Sequence, residues 1–183
     1  MSNGNAIGAE FERLTSRILS KYATGQCYDR SPMRDLPIRR INTAVTPVGL
    51  EGKKGDTGAI HKDLWFPFAV ECKRYKNCEI EGMFTAKKWL GWDHWEQACR
   101  QVTDEQPIPM LLFNRPRKPV YCMMPERYRE CLQVHPTYSP VLTVHRQGDE
   151  EAVMVGDVKD VLRVPLPALN RRLITRVITS SRT

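Results

Sequence analysis

The segment that most constrains the fold runs from Leu64 to Tyr75, because its side chains alternate with the two-residue period of a β-strand. One face of that strand is apolar and consists of Phe68, Val70 and Cys72. The opposite face carries Ala69, Glu71, Lys73 and Tyr75. The pattern predicts a strand that buries one face in a core, while Glu71 and Lys73 project side by side from the other face, roughly 6–7 Å apart.

Helical spacing occurs on both sides of this strand. Before it, apolar side chains recur at steps of three and four residues and predict a helix over residues 9–23. Glu10 and Glu12 fall at the two margins of the apolar stripe of that helix, so either carboxylate could reach across a sheet edge. After the strand, the spacing predicts a second helix over residues 92–104, which Pro107 ends.

Short strands account for much of the remaining chain. The predicted strands cover residues 38–45, 110–113 and 120–124, and a hairpin covers 141–145 and 152–155. A short helix is predicted from Pro125 toward Val134. Residues 168–178 have helical spacing but many β-branched side chains, so their structure stays open. This order of elements predicts an α/β fold with one mixed sheet and helices on its faces.

Composition limits the class of protein. The 183 residues suit one domain, and 28 Lys+Arg against 21 Asp+Glu give a net charge of +7. This charge favours nucleic acid as a partner, with a merely basic surface as the alternative. No segment approaches the ~18–20 apolar residues of a membrane span, and the chain begins without a secretory signal pattern. The six cysteines include no Cys-x-x-Cys pair, so we expect reduced thiols in an intracellular, cytoplasmic protein.

Glu12, Asp56, Glu71 and Lys73 are the candidate residues for chemistry. Phosphodiester hydrolysis uses a divalent cation, and Mg²⁺ prefers oxygen ligands. Asp56 and Glu71 could meet across a strand pair about 5 Å wide, with the backbone carbonyl of Cys72 as a further ligand. Lys73 would stabilise developing negative charge, and Glu12 would hold the metal or a water from the helix side. Taken singly, the Glu-x-Lys pair is also typical of a solvated ion pair, and Asp56 of a turn.

Four motifs follow one another in the chain: Gly8-Ala-Glu-Phe-Glu12-Arg13, Gly55-Asp56, Glu71-Cys-Lys73-Arg74 and Trp95-Glu-Gln97-Ala98. In this order they resemble the motifs of the PD-(D/E)xK nuclease superfamily, and within it those of archaeal-type and phage-encoded Holliday junction resolvases. The resemblance covers about residues 8–125. It departs from the family pattern in reading Gly-Asp instead of Pro-Asp. Ser31, the nearest match to a serine that archaeal-type resolvases carry after the first helix, lies in an unlike context.

The resemblance implies a restriction-endonuclease-like fold, DNA cleavage that depends on Mg²⁺ (or Mn²⁺ in its place), and a symmetric homodimer. By motif position it implies Glu12 as the helix carboxylate, Asp56 and Glu71 as metal ligands, and Lys73 as the catalytic lysine. Gln97 would be the helix glutamine near the site, although its position off the apolar stripe also suits exposure to water. We expect a single nuclease domain over residues 1–183, which in a phage-encoded protein would act in the host cytoplasm.

Basic side chains near these motifs are the candidate DNA contacts. They are Arg13, Lys53, Lys54, Arg74, Lys76, Arg115, Arg117 and Lys118. Contacts of this kind to phosphates give affinity without reading sequence, which suits recognition of a branch by its shape. Solvent exposure without DNA contact is the alternative for each of them.

Three functions stay open at this point. The first is a metal-dependent, structure-selective DNA endonuclease that resolves four-way junctions, and the second is another nuclease of the superfamily, such as an exonuclease or a restriction-like enzyme. The third is a non-catalytic DNA-binding protein with the same fold. Residues 139–183 could form a dimer surface, cover a sheet edge, or grip DNA through Arg171, Arg172 and Arg176.

Overall fold

A mixed β-sheet forms the centre of the molecule. The computed structural model describes residues 4–40, 57–59, 64–74, 80–85, 89–134, 140–146 and 148–180. The strands in these residues are β1 (Ile38–Arg40), β2 (Thr57–Ala59), β3 (Phe68–Arg74), β4 (Ile108–Asn114), β5 (Tyr121–Pro125), β6 (Leu142–Val144) and β7 (Val153–Asp157). These strands form one seven-stranded sheet in the spatial order β1-β2-β3-β4-β5-β7-β6. Of the described pairs, β3 with β4 is parallel and the others are antiparallel.

Helices lie on both faces of this sheet. The described helices are α1 (Gly4–Thr24), α2 (Gly82–Thr85), α3 (Leu90–Arg100), α4 (Val158–Val161) and α5 (Leu166–Ser180), with single 3₁₀ turns at Met33–Asp35 and Glu126–Tyr128. Side chains of α1, α4 and α5 join the apolar core on one face, and α3 joins a second core on the other. The predicted α/β fold with a mixed sheet between helices is confirmed. None of the described helices is both long and apolar enough to cross a membrane.

The central strand β3 has the two unlike faces that its alternating sequence predicts. Phe68, Val70 and Cys72 are buried in the core shared with α1 and α5. Thr15 of α1 lies directly over this face, with its Oγ1 3.3 Å from the Sγ of Cys72. Because successive side chains of a strand alternate between faces, Glu71 points to the opposite face, where α3 packs.

Buried hydroxyls fix α1 across the sheet. Ser20 is fully buried, and its Oγ donates to the carbonyl of Ile38 at 3.0 Å while accepting from the backbone N–H of Ile38 at 3.1 Å. One side chain thus satisfies both backbone groups of Ile38, which would cost free energy if they were buried without partners. Together with the contact of Thr15 on β3, this contact sets the path of α1 from β3 to β1.

The second predicted helix is shorter than its apolar spacing indicates. α3 ends at Arg100 and Gln101 is its C-cap, so the prediction that the helix continues to residue 104 and is ended by Pro107 is wrong. Reciprocal backbone hydrogen bonds between Thr103 and Gln106 form a turn instead. The side-chain amide of Gln106 donates to the carbonyl of Phe68 at 2.8 Å and holds this turn against the start of β3.

Other elements differ from their predictions mainly at their ends. The predicted hairpin is confirmed as the antiparallel pair of β6 and β7. The predicted short helix from Pro125 toward Val134 is wrong in extent, because one 3₁₀ turn is followed by further turns. Of the strand predicted over residues 38–45, Ile38–Arg40 is formed and the rest lies outside the described residues.

The C-terminal segment completes the fold. β7 pairs with β5, so β6 and β7 continue the sheet beyond the region that carries the sequence motifs. The structure resolves the open assignment of residues 168–178, which belong to α5. Leu166, Leu169 and Leu173 of α5 are buried in the core shared with α1. Arg172 donates to the backbone carbonyl of Cys131 at 3.0 Å, which accounts for one of the three arginines considered for DNA contact.

Candidate active site

A buried carboxylate lies at the centre of the candidate site. The side chain of Glu71 on β3 is fully buried, and it forms an ion pair with the ammonium of Lys73, whose side chain is 22% exposed. Gln101 donates from Nε2 to Oε2 of Glu71 at 2.9 Å. A buried charge is stable only when it is paired and hydrogen-bonded, and Lys73 and Gln101 supply these two interactions.

The parallel pairing of β3 with β4 and the packing of α3 hold this arrangement. In register, Glu71 lies beside Leu111 and Lys73 beside Phe113, so Lys73 is near the C-terminal ends of both strands. Trp89, just before α3, packs edge-on against Phe113 with ring centroids 5.6 Å apart. This packing places α3 over the polar face of β3, and the end of α3 then brings Gln101 to Glu71.

Two further polar side chains of α3 lie near Lys73. His94 hydrogen-bonds to Gln97, and the field of the Lys73 ammonium acts on the His94 imidazole. Burial is the larger of the causes that lower the pKa of His94, and the positive charge of Lys73 lowers this pKa further. The imidazole is therefore neutral near pH 7. Gln97 thus lies beside His94, while Gln101 is the glutamine that contacts Glu71. The role of Gln97 in the site stays a prediction.

Sequence reasoning missed Gln101 and His94. A signal was present, because residues 94, 97 and 101 are three and then four positions apart and so share one helix face. The spacing alone does not say which member of the stripe meets the strand. That choice depends on how far along α3 the strand lies, which tertiary packing decides.

Glu12 belongs to α1, the helix that packs on the face of the sheet opposite to Glu71. Its Oε2 is shielded from solvent, and its backbone carbonyl accepts hydrogen bonds from the hydroxyls of Thr15 and Ser16, at 3.0 and 2.7 Å. Glu12 precedes Thr15, the residue that contacts Cys72 on β3, by three residues, which is slightly less than one helical turn. The role of Glu12 as the helix carboxylate of the site stays a prediction.

Asp56 lies outside the described residues, as do Lys53, Lys54 and Lys76. The residue after Asp56, Thr57, belongs to β2 and pairs antiparallel with Val70, the residue before Glu71. The predicted meeting of Asp56 with Glu71 and the backbone carbonyl ligand at Cys72 stay predictions.

The described basic residues gather near the same end of the sheet. Arg74 ends β3 beside Asn114, which ends the parallel strand β4. Arg74 forms an ion pair with Glu10 of α1 at 3.3 Å. The exposed turn that follows β4 carries Arg115, Arg117 and Lys118. Arg13 is exposed on α1, where it donates to the carbonyl of Ala9 at 3.1 Å.

The donor set fits a hard divalent cation in chemical type. Glu71 and Glu12 offer carboxylate oxygens, which Mg²⁺ and Mn²⁺ prefer, and thiolate and imidazole are not required. Within the described part of the chain, no three histidine, cysteine, aspartate or glutamate side chains converge on one point as a metal site. A metal site that includes Asp56 stays a prediction.

The comparison with protein families decides the relationship. The family described as "Phage putative PDDEXK endonuclease" matches residues 3–161. The chain belongs to this family. The match extends from α1 through the Glu71-x-Lys73 strand and α3 to the C-terminal strands, so it includes every described residue of the candidate site. Neither the curated proteins nor the solved structures gave a match.

Membership in the phage PDDEXK family confirms the PD-(D/E)xK resemblance that the motifs indicate. It makes the chain a nuclease-family protein with DNA as the substrate of its class, and the mixed sheet with flanking helices is consistent with a restriction-endonuclease-like domain. The choice of DNA structure, the metal ion and the oligomeric state go beyond this finding and are treated below.

Proposed function

We propose that this protein is a metal-dependent, structure-selective DNA endonuclease, specifically a Holliday junction resolvase that hydrolyses phosphodiester bonds in branched DNA. The observation that carries the proposal is the fully buried Glu71 carboxylate, paired with Lys73 and hydrogen-bonded by Gln101. A structural ion pair on a strand would normally lie in solvent, where it contributes little stability. Burial of this pair beneath α3 is costly, and a role in chemistry accounts for that cost.

The proposed metal ligands are Asp56, Glu71 and Glu12, with the backbone carbonyl of Cys72. Asp56 directly precedes Thr57, and continuation of the β2–β3 pairing by one residue would set Asp56 opposite Glu71. A bound Mg²⁺ or Mn²⁺ would offset the charge of the scissile phosphate and lower the pKa of the attacking water.

The chain's own residues supply orientation and charge. Lys73 holds a positive charge next to Glu71, where it can stabilise the negative charge that develops on the phosphate. Gln101 holds one oxygen of Glu71 in place, so the carboxylate is oriented before substrate binds. Gln97, which hydrogen-bonds to His94, would support Lys73 or a phosphate from α3.

The preference for branched DNA rests on the motif resemblance and on charge. The exposed turn residues Arg115, Arg117 and Lys118 would bind phosphates on either side of the site, as would Arg13, Arg74, Lys53, Lys54 and Lys76. A homodimer with two-fold symmetry would present two such sites to two strands of a four-way junction. We further propose that residues 1–183 act as one nuclease domain.

Cleavage of labelled DNA tests the proposal. A synthetic four-way junction, the matching linear duplex and single strands are incubated with Mg²⁺, Mn²⁺ or EDTA. We expect paired nicks in the junction with either metal and none in EDTA. Asp56→Asn, Glu71→Gln and Lys73→Met should each abolish nicking, whereas Arg34→Gln, at an exposed position on a 3₁₀ turn, should not change it.

The result also separates the alternatives. Equal cleavage of the linear duplex would assign another nuclease activity, such as a restriction-like or exonuclease function. Junction binding without cleavage in either metal would assign a non-catalytic DNA-binding protein. Gln101→Leu tests the positioning role of Gln101: we expect activity to fall about 10–100-fold and the Mn²⁺ concentration for half-maximal rate to rise.

A further inference from the structure

A basic groove lies between α1 and α4, and its lining includes none of the described residues of the candidate active site. It has a volume of about 620 Å³ and is bounded by α1 on one side and by α4 and the residues after it on the other. Its apolar lining includes Leu14 and Ile18 of α1 and Leu162 after α4. Leu14 is 41% exposed, so apolar surface in the groove stays open to solvent.

Four cationic side chains line this groove: Arg17, Lys21, Lys159 and Arg163. Asp29 is the carboxylate among the lining residues, and Arg163 is paired with Asp160. In the part of the chain that the structure describes, Arg17, Lys21 and Lys159 have no carboxylate partner. The groove therefore has an excess of positive charge that its own residues do not neutralise.

Arg17 shows this excess most clearly. Its Nε is buried and makes no hydrogen bond within the described residues, and its terminal nitrogen reaches the carbonyl of Ser31 only at 3.5 Å. A guanidinium group offers five donors in a planar fork that suits phosphate oxygens. An apolar lining under a row of cations is complementary to a sugar–phosphate backbone, in which deoxyribose is apolar and each phosphate carries one negative charge.

We propose that this groove binds the phosphate backbone of the DNA substrate at a distance from the bond that is cut. The inference rests on the proposed function for its ligand, because a DNA nuclease must hold the arms of its substrate. Arg17, Lys21 and Lys159 contact phosphates there. The contacts add affinity and orientation without reading the base sequence.

The geometry of α1 sets the length of DNA required. Lys21 follows Glu12 by nine residues, which is about 14 Å along a helix that rises 1.5 Å per residue. The groove extends along α1 from Leu14 to Gly25, roughly 16 Å, or about five base pairs at 3.4 Å each. DNA must therefore continue for several base pairs beyond the scissile phosphate before the groove can contribute.

Binding is measured by fluorescence anisotropy in EDTA, so that cleavage does not enter the readout. The full-length protein is compared with the double variant Lys21→Gln/Lys159→Gln, in which both positions are exposed and no described ion pair is broken. The control is Arg34→Gln/Arg100→Gln, which removes the same charge at positions 83% and 69% exposed and outside the groove. The probes are two four-way junctions with long arms, one with ordinary phosphates throughout and one with uncharged methylphosphonate linkages from the fourth base pair outward.

At 0.1 M salt, we expect the groove variant to bind the unmodified long-armed junction roughly 60-fold more weakly than the wild type, which is about eightfold for each lost phosphate contact. The plot of log binding constant against log salt concentration should also become less steep, by about 2 in slope. The loss should be much smaller with the methylphosphonate junction, because the outer parts of its arms carry no charge for the groove to contact. Equal behaviour of the two double variants on the unmodified junction would overturn the proposal. If the wild type does not nick DNA but the two double variants still differ in binding, the proposed nuclease function is wrong and DNA binding by the groove is supported. If the wild type nicks DNA and the groove variant binds as the wild type does, only the proposal for the groove is wrong.

Discussion

Replacement of Lys73 by methionine tests whether the Glu71 carboxylate is a buried charge that depends on one partner. Methionine keeps much of the lysine stem but removes the ammonium group. Glu71 would then be fully buried with the amide of Gln101 as its remaining described partner. Removal of one partner from a buried ion pair leaves an uncompensated charge, which typically costs about 3–5 kcal/mol.

We expect the lower end of that range, about 3 kcal/mol, because Lys73 is partly exposed and Gln101 continues to donate its hydrogen bond. For a chain of this size, 3 kcal/mol corresponds to a fall in Tm of roughly 6–12 °C. Glu71→Gln should cost less, about 1 kcal/mol, because the ammonium that it leaves retains contact with water. The double variant should be more stable than Lys73→Met alone, with a coupling free energy of about 2 kcal/mol.

The measurement is urea unfolding of the wild type, the two single variants and the double variant, in EDTA so that no cation replaces the ammonium. Arg127→Met serves as the control, since it breaks the ion pair of Arg127 with Glu151, whose side chains are 47% and 38% exposed. Such a surface pair should contribute no more than about 1 kcal/mol. If Lys73→Met is as stable as this control, Glu71 is not the buried, lysine-dependent carboxylate described above, and the structural basis of the proposed site is wrong.

Three further outcomes follow from local packing and burial. Gly91→Ala should lower the free energy of unfolding by about 1–3 kcal/mol, because the new Cβ would lie 2.1 Å from the ring of Trp89. Gly8→Ala should instead raise the free energy of unfolding by about 0.5–1 kcal/mol, since a Cβ at this position meets no neighbouring group within 4 Å. If urea unfolding shows that both glycine variants are destabilised, or that both are stabilised, this account is contradicted. Burial raises the pKa of the Cys99 thiol to about 11, so mass spectrometry after alkylation at pH 8 should show exposed Cys27 modified well before Cys99, and equal rates would argue against the packing of Cys99.

The sequence predicts the parts of the fold that local periodicity determines. The two-residue alternation around Phe68 and Val70 identifies the buried face of β3, and the helical stripe of Phe11, Ile18 and Tyr22 identifies α1. The motif order then correctly indicates the nuclease superfamily. These predictions succeed because each depends on neighbours within one strand or a few helical turns.

Features that depend on tertiary packing were missed or misplaced. Val102 continues the apolar spacing of α3, yet it is 37% exposed, because the turn closed by Thr103 and Gln106 ends the helix earlier. The choice of Gln101 over Gln97 as the partner of Glu71 depends on where α3 meets β3, which involves residues 30 positions apart in the chain. The helix α5 stayed undecided because its β-branched residues disfavour a helix locally, whereas burial of leucines such as Leu169 against the core stabilises it.

The parallel pairing of β3 with β4 has a consequence for synthesis of the protein. A parallel pair requires a crossover, and here α3, with Gln101 at its end, is part of that crossover. Until the residues through Asn114 have been synthesised, β4 cannot complete its pairing with β3, so the burial of Glu71 is not yet established. Under the proposed function, a copy that ends before β4 therefore lacks the buried Glu71–Lys73 pair and with it the proposed catalytic centre.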